Sequence, residues 1–443
     1  MLDQQLRQHV ASASILEGES VGAPTEEELK VPLVAPGESA PLPQAVIFHG
    51  AWRKEADGMG HHSRAQIRAL ALAGVPLMLR ALSQGAARDA ELGPDVRQLL
   101  HLANVSADRA SLLIHHIVIH SEQQLDSVLL PRAARLSDEA TQEALLQRSI
   151  VYTSWERDRV SPAIAASLNE CAEVWVPCKQ NAKAFLDSGV RGIRVVPCPY
   201  DPNASGVCQI PYPRGNELVP HGKRFYTIGK WEPRKNQAQL LRAFVRAFTP
   251  KDHASLLLKT SEWGSWRDYP SIKEVTRELV QDGAKFGWTA ASLNKRIRII
   301  CDKLPIERIH KIHQENNIYV SASHGEAWDV PAFEAVCAGN RLLYTWGGPE
   351  DFAQPGDLQF PYHLAPCHQQ YLWEHDAKWA DIELDDLVET LRLAKAPERR
   401  RHPSTLYPRF GQFAVGERMR DALVEVLGAS ESQPAALLEN TFA

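Results

Sequence analysis

From Ala45 onward the chain alternates short apolar runs with helical stretches, and the pattern is played twice with one turn-rich interruption near the middle. Apolar runs of this length, separated by helical or polar segments, mark parallel strands buried on both faces and joined by crossover helices. The first series reads AVIFHG, VPLMLRAL, SLLIHH, SIVYTSW, EVWVPC and IRVVPC, with a helix predicted in RAQIRALALAG after the first run. The second reads RFYTIGKW, ASLLLKT, IRIICDKL, NIYVSAS and NRLLYTW. Between them lies CPYDPNASGVCQIPYPRGNELVPHGK, whose Pro, Gly and Asn content makes it the natural linker. Two doubly wound α/β units of similar size therefore fit the chain. Ligands of such sheets sit at the carboxyl ends of the strands, so the loops after strands are where chemistry is sought.

At 443 residues the chain exceeds one ordinary core, and with 44% hydrophobic and 23% charged residues it can bury two. Residues 1–43 are rich in Glu, Pro, Gly and Ser and read as a mobile or loosely packed extension. A net charge of −5 gives no global attraction for nucleic acid or an anionic membrane, although a local basic patch fits inside that average. The start MLDQQLRQHVAS lacks a basic stretch followed by an apolar core, and no apolar run approaches the roughly 20 residues that span a bilayer, so a cytoplasmic protein without an integral membrane segment is expected. Seven cysteines without a C-x-x-C pair read as reduced thiols, with neither a disulfide framework nor a zinc site.

Four segments carry candidate chemistry. In SASHGEAWDVPAFEAVCAGN a strand ends near Ser323, a loop carries Glu326, Pro331 suits the first turn of a helix, and Glu334 lies on that helix. A loop carboxylate and a first-turn carboxylate at one strand end can face one crevice, where each accepts hydroxyl hydrogen bonds from a ribose or sugar. Taken singly, Glu334 reads as well as a helix-dipole partner and Glu326 as solvated surface. In GKWEPRKN, two or three cationic side chains, Lys230 and Lys235 among them, precede a helix that Asn236 can cap, which makes an anion site, with a solvated basic turn as the equal alternative. Asp57-Gly58-Met59-Gly60 is a glycine-rich turn before a helix starting near Arg64; such turns are more often only turns, and His61 and His62 are expected at the surface. His115 and His116 end an apolar strand, where a histidine either reaches the cleft or is structural, with His116 favoured for the cleft. Trp155 and Glu156 follow another strand and either shape an acceptor side or serve as core aromatic and surface carboxylate.

The segment from Ser323 to Gly339 resembles the E-x7-E region of glycosyltransferase family 4, usually S-x-x-E-G-F-G-L-P-x-x-E-A-x-x-x-G, with Ser323, Glu326, Trp328 for Phe, Pro331, Glu334, Ala335 and Gly339 at matching positions. Ala327 and Asp329 stand where that family has glycines. The resemblance extends over roughly residues 45 to 428. It implies the GT-B fold, two Rossmann-like domains facing each other across a cleft: an acceptor domain over 44–205, a donor domain over 206–405, a helix over 406–430 returning to the first domain, and a tail over 431–443. It implies further that Glu334 holds the ribose, that Glu326 lies at the donor sugar and phosphate, and that Trp328, Asp329 and Val330 line the donor. Lys230 and Lys235 match the Arg and Lys of the family's G-R-x-x-x-x-K-G. Gly58 and Gly60 would face the donor across the cleft, and a cleft histidine would stand near the transferred sugar.

A retaining glycosyltransferase using a UDP or GDP sugar is the reading that follows, with no cofactor beyond that co-substrate. No two aspartates are separated by one residue, so no Asp-x-Asp metal site is expected, and metal-independent transfer follows with charge supplied by Lys230 and Lys235. A dinucleotide oxidoreductase requires G-x-G-x-x-G, and the segment from Asp57 to Ser63 lacks the third glycine. A GT-B scaffold that binds a nucleotide sugar without transferring it is the alternative. The acceptor stays open among a saccharide, a small metabolite, a lipid-linked sugar, a protein and a hydroxylated nucleobase in DNA. The absence of a basic amphipathic helix counts against a lipid, and the acidic balance counts against nucleic acid without excluding it.

Overall fold

The computed structural model describes residues 45–53, 58–82, 94–102, 112–131, 135, 138–200, 221–262, 269–367, 376–397, 401 and 405–430. The extension over 1–43, Asp57, the boundary expected between 205 and 206, Cys208 and the tail over 431–443 lie outside the described residues.

All eleven apolar runs form strands. β1 (Val46–Gly50), β2 (Leu77–Ala81), β3 (Leu112–His116), β4 (Ser149–Tyr152), β5 (Glu173–Val176) and β6 (Ile193–Val195) make a parallel sheet in the order β2-β1-β3-β4-β5-β6. The second sheet holds β7 (Lys223–Ile228), β8 (Ala254–Lys259), β9 (Ile297–Ile300), β10 (Ile318–Ser321), β11 (Arg341–Tyr344) and β12 (Leu358–Gln359), again parallel, in the order β12-β11-β10-β7-β8-β9. Counted from its own first strand this is the 3-2-1-4-5-6 order of a dinucleotide-binding unit, with its switch point between β7 and β10. In the first sheet the order reverses between β1 and β3. Sequence reading missed the two-residue β12 and the hairpin of β13 (His363–Pro366) and β14 (Lys378–Asp381), because β13 is largely exposed and carries no apolar alternation.

Each sheet is covered on both faces. Phe48, Ile114, Tyr152 and Trp175 of the first sheet pack with Ile67 and Leu70 of α1 (Gly58–Leu72), while Val151, Val174 and Val176 face Leu125, Ile164 and Phe185. In the second sheet Phe225, Leu256 and Val320 meet Leu240, Leu241 and Phe244 of α2 (Gln237–Ala247); Tyr226, Tyr319 and Leu342 meet Phe333 and Val336 of α3 (Val330–Cys337). Fully burying each such side chain contributes about 1.5–3 kcal/mol. The last helix, α4 (Gln412–Ser430), leaves the second unit and packs Val415, Met419 and Leu423 into the first core against α1. Among the described residues no helix is long and apolar enough to cross a membrane.

Two expectations are corrected here. The first helix begins at Gly58, not near Arg64, so Gly58 and Gly60 sit in its first turn instead of in a loop, with Gly58 exposed and Gly60 buried. His62, expected at the surface, is buried: its helix face turns to the sheet together with Ser63, Gln66 and Ile67, and Arg64 donates to the Trp52 carbonyl at 3.0 Å.

The contact between α1 and α4 depends on Gly416, where a Cβ would lie 2.1 Å from the Ala69 carbonyl oxygen. Gly416→Ala is expected to push the two helices apart and lower stability by roughly 1–3 kcal/mol, as overpacking does. Urea denaturation of both proteins measures it; an unchanged midpoint would show that the helices shift at no cost.

Candidate active site

The switch point of the second sheet brings together the loops after β7 and β10. Backbone bonds hold the first loop across the sheet end, from Gly229 N to Lys259 O at 3.0 Å and from Trp231 N to Ser261 O at 3.0 Å, before a 3-10 turn over Pro233–Lys235 leads into α2. The second loop is tied to it by His324 N donating to Arg234 O at 2.8 Å. Both loops enter their helices through a left-handed residue, Asn236 at φ 52° and Asp329 at φ 59°, the two non-glycine positive-φ residues among those described. Asn and Asp are the side chains that tolerate this region best. Asn236 thus starts α2 by its backbone; the expected side-chain cap is not formed. Asp329 caps α3, accepting from Ala332 N at 3.4 Å and from the Ser321 hydroxyl. With the cap at Asp329, Glu334 falls in the second turn of α3, one turn later than expected.

Charge concentrates where the loops meet. Lys235 Nζ lies 2.5 Å from Glu326 Oε1, and Arg234 Nη1 lies 3.1 Å from Glu326 Oε2 while donating to Gly325 O at 2.8 Å. Arg234 also binds Glu232 at 2.9 Å, and Glu156 of the first unit stands 3.9 Å from it. Burial opposes ionisation of Glu326, but the charges of Lys235 and Arg234 outweigh it and hold the carboxyl below its usual range. Burial likewise opposes the Lys235 ammonium, and Glu326 and Asp329 together raise it above its usual value. Asp329 moves the other way, raised by burial and then by Glu326. The pattern is a cationic pair already neutralised by carboxylates, at two helix N-termini whose amides favour an anion.

Glycines let the backbones approach. A Cβ on Gly325 would lie 2.2 Å from the Glu156 carbonyl oxygen, so the E-x7-E loop runs flush against the first unit. Gly348 donates to Glu326 O at 2.8 Å, and a Cβ there would meet the Trp328 backbone at 2.4 Å.

The other expected site residues are distributed as follows. Lys230 is exposed beyond the end of β7. Trp328 is buried in an aromatic cluster with Phe333, Phe352 and Phe410, so its ring packs the core of the second unit, and Val330 is half-buried beside it. Glu334 is nearly buried and lies 3.4 Å from His313. Trp155 is buried, its indole donating to Arg159 O at 2.7 Å and packing on Phe185, while Glu156 reaches the seam. His115 and His116 are both fully buried: His115 contacts His49 at 3.3 Å and Ser149 at 3.4 Å, and His116 bonds Ser63 and packs on His62 and Tyr152. Burial depresses these imidazoles, His115 and His62 to about 3, so they are neutral at physiological pH. Placing His116 in the cleft is therefore not supported by its surroundings; the end of β3 is covered by α1 and β4. Arg234 was quoted in its motif but given no separate role, and its signal was simply a third cation in the string. His313 had no sequence signal.

Two parallel six-stranded sheets with the last helix returned to the first unit are the GT-B fold. No known family model matches the chain, and no curated protein matches it in sequence. Among solved structures it is similar to the lipopolysaccharide outer core galactosyltransferase WaaB, at 11% identity and a TM-score of 0.51, over 86% of this chain and 99% of that one. It is less similar in geometry to the E. coli trehalose-6-phosphate protein bound with UDP-2-fluoro glucose, at 11% identity and 0.48 over 87% and 96%, and to Anabaena HepE in complex with UDP and glucose, at 12% identity and 0.47 over 87% and 97%. At such identity the likeness concerns the fold, and the first of the three carries it.

Removing one partner of a buried pair leaves the other uncompensated, so Glu326→Gln is expected to cost roughly 3 kcal/mol near neutral pH. Because the folded pKa of Glu326 lies below its unfolded value, the stability it contributes is complete above that unfolded value and is lost as pH falls through the folded one. The wild-type and variant stabilities, measured by urea denaturation across acid pH, should converge; a gap of constant size would show that the pair does not titrate with folding.

Proposed function

We propose that the chain is a retaining glycosyltransferase that binds a UDP or GDP sugar at the switch point of its second sheet and transfers the sugar to a hydroxyl acceptor. The observation that carries this reading is the meeting of Lys235, Arg234 and Glu326, from loops 91 residues apart, at the carboxyl ends of β7 and β10. That is where open α/β sheets bind nucleotides, and the GT-B fold supports it.

In this reading a diphosphate competes with Glu326 for Lys235 and Arg234, with the amides at the start of α2 adding to the grip and Lys230 screening it from the mouth. Charge grows on the diphosphate as the anomeric C–O bond breaks, so these groups act mainly in the transition state. The acceptor oxygen forms its bond to the anomeric carbon on the face the diphosphate leaves, and its proton passes to a leaving phosphate oxygen. No separate base is needed, which agrees with the full burial of His115 and His116. Glu334 accepts hydrogen bonds from the ribose hydroxyls, and Glu156 lies on the acceptor side of the seam. The cationic charge comes from the chain itself, so transfer proceeds without a metal.

The second reading, binding without transfer, draws on the same pair: Glu326 already satisfies both cations, and a ligand must displace it. Turnover measured on a panel of nucleotide sugars and acceptors, read by product mass, separates the two and identifies the acceptor. Within that assay Lys235→Ala is expected to lower turnover at saturating donor by roughly 100-fold while changing donor affinity far less. Unchanged turnover would place the anion site elsewhere.

Exhaustive chelation is expected to leave activity intact, and proton NMR of the first-formed product is expected to show retention. Activity lost to chelation and restored by manganese would overturn the metal-independent step, and an inverted product the stereochemistry.

A further inference from the structure

The first core holds four imidazoles that the reaction as described does not use. His49 lies half-buried on β1, His62 nearly buried on α1, and His115 and His116 fully buried at the end of β3. Neighbouring residues of a strand point to opposite faces, so the four form two pairs, His49 with His115 and His62 with His116. In the first pair the Ser149 hydroxyl donates to Leu145 O at 2.9 Å, so at 3.4 Å it accepts from His115 Nε2. A neutral His115 then offers the lone pair of its Nδ1 to His49 Nδ1, 3.3 Å away. A second proton on His115 would set two N–H groups against each other. In the other pair Tyr152 donates its single hydroxyl hydrogen to Val196 O at 2.8 Å and therefore accepts from His62 Nε2 at 3.0 Å. His116 Nδ1 bonds the Ser63 hydroxyl, and its Nε2 is buried without a hydrogen-bond partner.

The surrounding charges also oppose protonation. Arg80 of β2 stands beside His49 in the sheet and acts on both His49 and His115. Tyr152 faces the second pair from β4, with Cys178 and Cys198 beyond it, and Arg64 of α1 turns to Trp52 O. Among the described residues no Asp or Glu meets any of the four imidazoles. The buried histidines of the second unit differ: His313 lies 3.4 Å from Glu334, whose charge also partly offsets the burial of His310. We propose that the two histidine pairs make the first α/β unit a pH-sensitive element: neutral, they complete its core, and in mild acid the unit opens ahead of the second, because these imidazoles take up protons only once water reaches them. Burial, reinforced by neighbouring positive charge, holds His115 at about 3 and His49 at about 4, and burial alone holds His62 at about 3. Each folded value lies below the unfolded one, so the stability these groups contribute is complete above about pH 6.5 and is lost as pH falls toward the folded values.

The test is amide hydrogen exchange of the full chain at pH 7 and pH 5, corrected for the intrinsic pH dependence of exchange and read by mass spectrometry on peptides covering β1, β3 and β4 and on peptides covering β7, β8 and β10. Each imidazole that stays neutral in the folded unit and titrates normally outside it should raise the opening constant roughly 20-fold between the two pH values, so the first set should rise roughly 100-fold or more and the second set far less. In His62→Gln and His115→Gln the amide nitrogen keeps a donor toward Tyr152 or Ser149 and one proton acceptor is lost. The rise should then shrink by roughly 20-fold in each. Because the readout is a ratio between two pH values, a variant that is merely less stable still gives it, and should one fail to fold the other makes the same comparison. Equal rises in both sets of strands, or an unchanged rise in the variants, would overturn the proposal. So would proton NMR showing His62, His115 or His116 titrating near pH 6.5 in the folded protein.

Discussion

The ion pair between Lys235 and Glu326 is the contact on which the arrangement of the second unit turns. Two charges taken out of water cost several kcal/mol each, and their attraction repays that only at close range with their remaining bonds satisfied. Here the range is 2.5 Å, and Arg234 engages the second carboxylate oxygen. That geometry requires both loops to end at one place, which the 3-2-1-4-5-6 strand order ensures by making β7 and β10 neighbours. The starts of α2 and α3 follow from it, each entered through a left-handed residue that turns the chain sharply at the sheet end.

The same loops form the seam with the first unit. The E-x7-E loop lies against the Glu156 carbonyl through Gly325, and Arg234 reaches toward the Glu156 side chain. Lys378 of β14 exchanges two bonds with Asp158, at 2.6 and 3.0 Å, and Asp351 accepts the amide of Lys179 at a helix start. Tyr200 and Gln412 bond across the crossing of the chain toward α4, at 3.0 Å. The switch point therefore lies close to backbone from both units, with the E-x7-E loop directly against the loop after β4.

Substitutions within a motif are best understood through the backbone. Asn236 stands where the resembling family has glycine after its lysine, and Asp329 stands at another of its glycines. Both adopt positive φ, the region where Asn and Asp are the non-glycine side chains most at ease. Trp328 at the usual Phe position keeps an aromatic in the core cluster and adds volume there.

Strand placement was legible because both sheets are parallel and buried on both faces, so their strands appear as continuous apolar runs and need no partner to be recognised. The exposed hairpin of β13 and β14 left no such trace. The two charged strings at Lys230 to Asn236 and at Glu326 to Glu334 were legible as chemistry only as whole strings at strand ends, since each residue taken singly reads as well as a solvated turn or a helix-dipole partner. The sequence by itself determined the two α/β units, their strands and the residue types available to an anion and to hydroxyls. Which of these groups meet was decided only by tertiary structure, since it depends on strand order and on which helix face is buried. That is why Lys235 found Glu326, why His62, His115 and His116 were drawn into the first core, and why His313, on a helix with no motif of its own, came to stand behind Glu334.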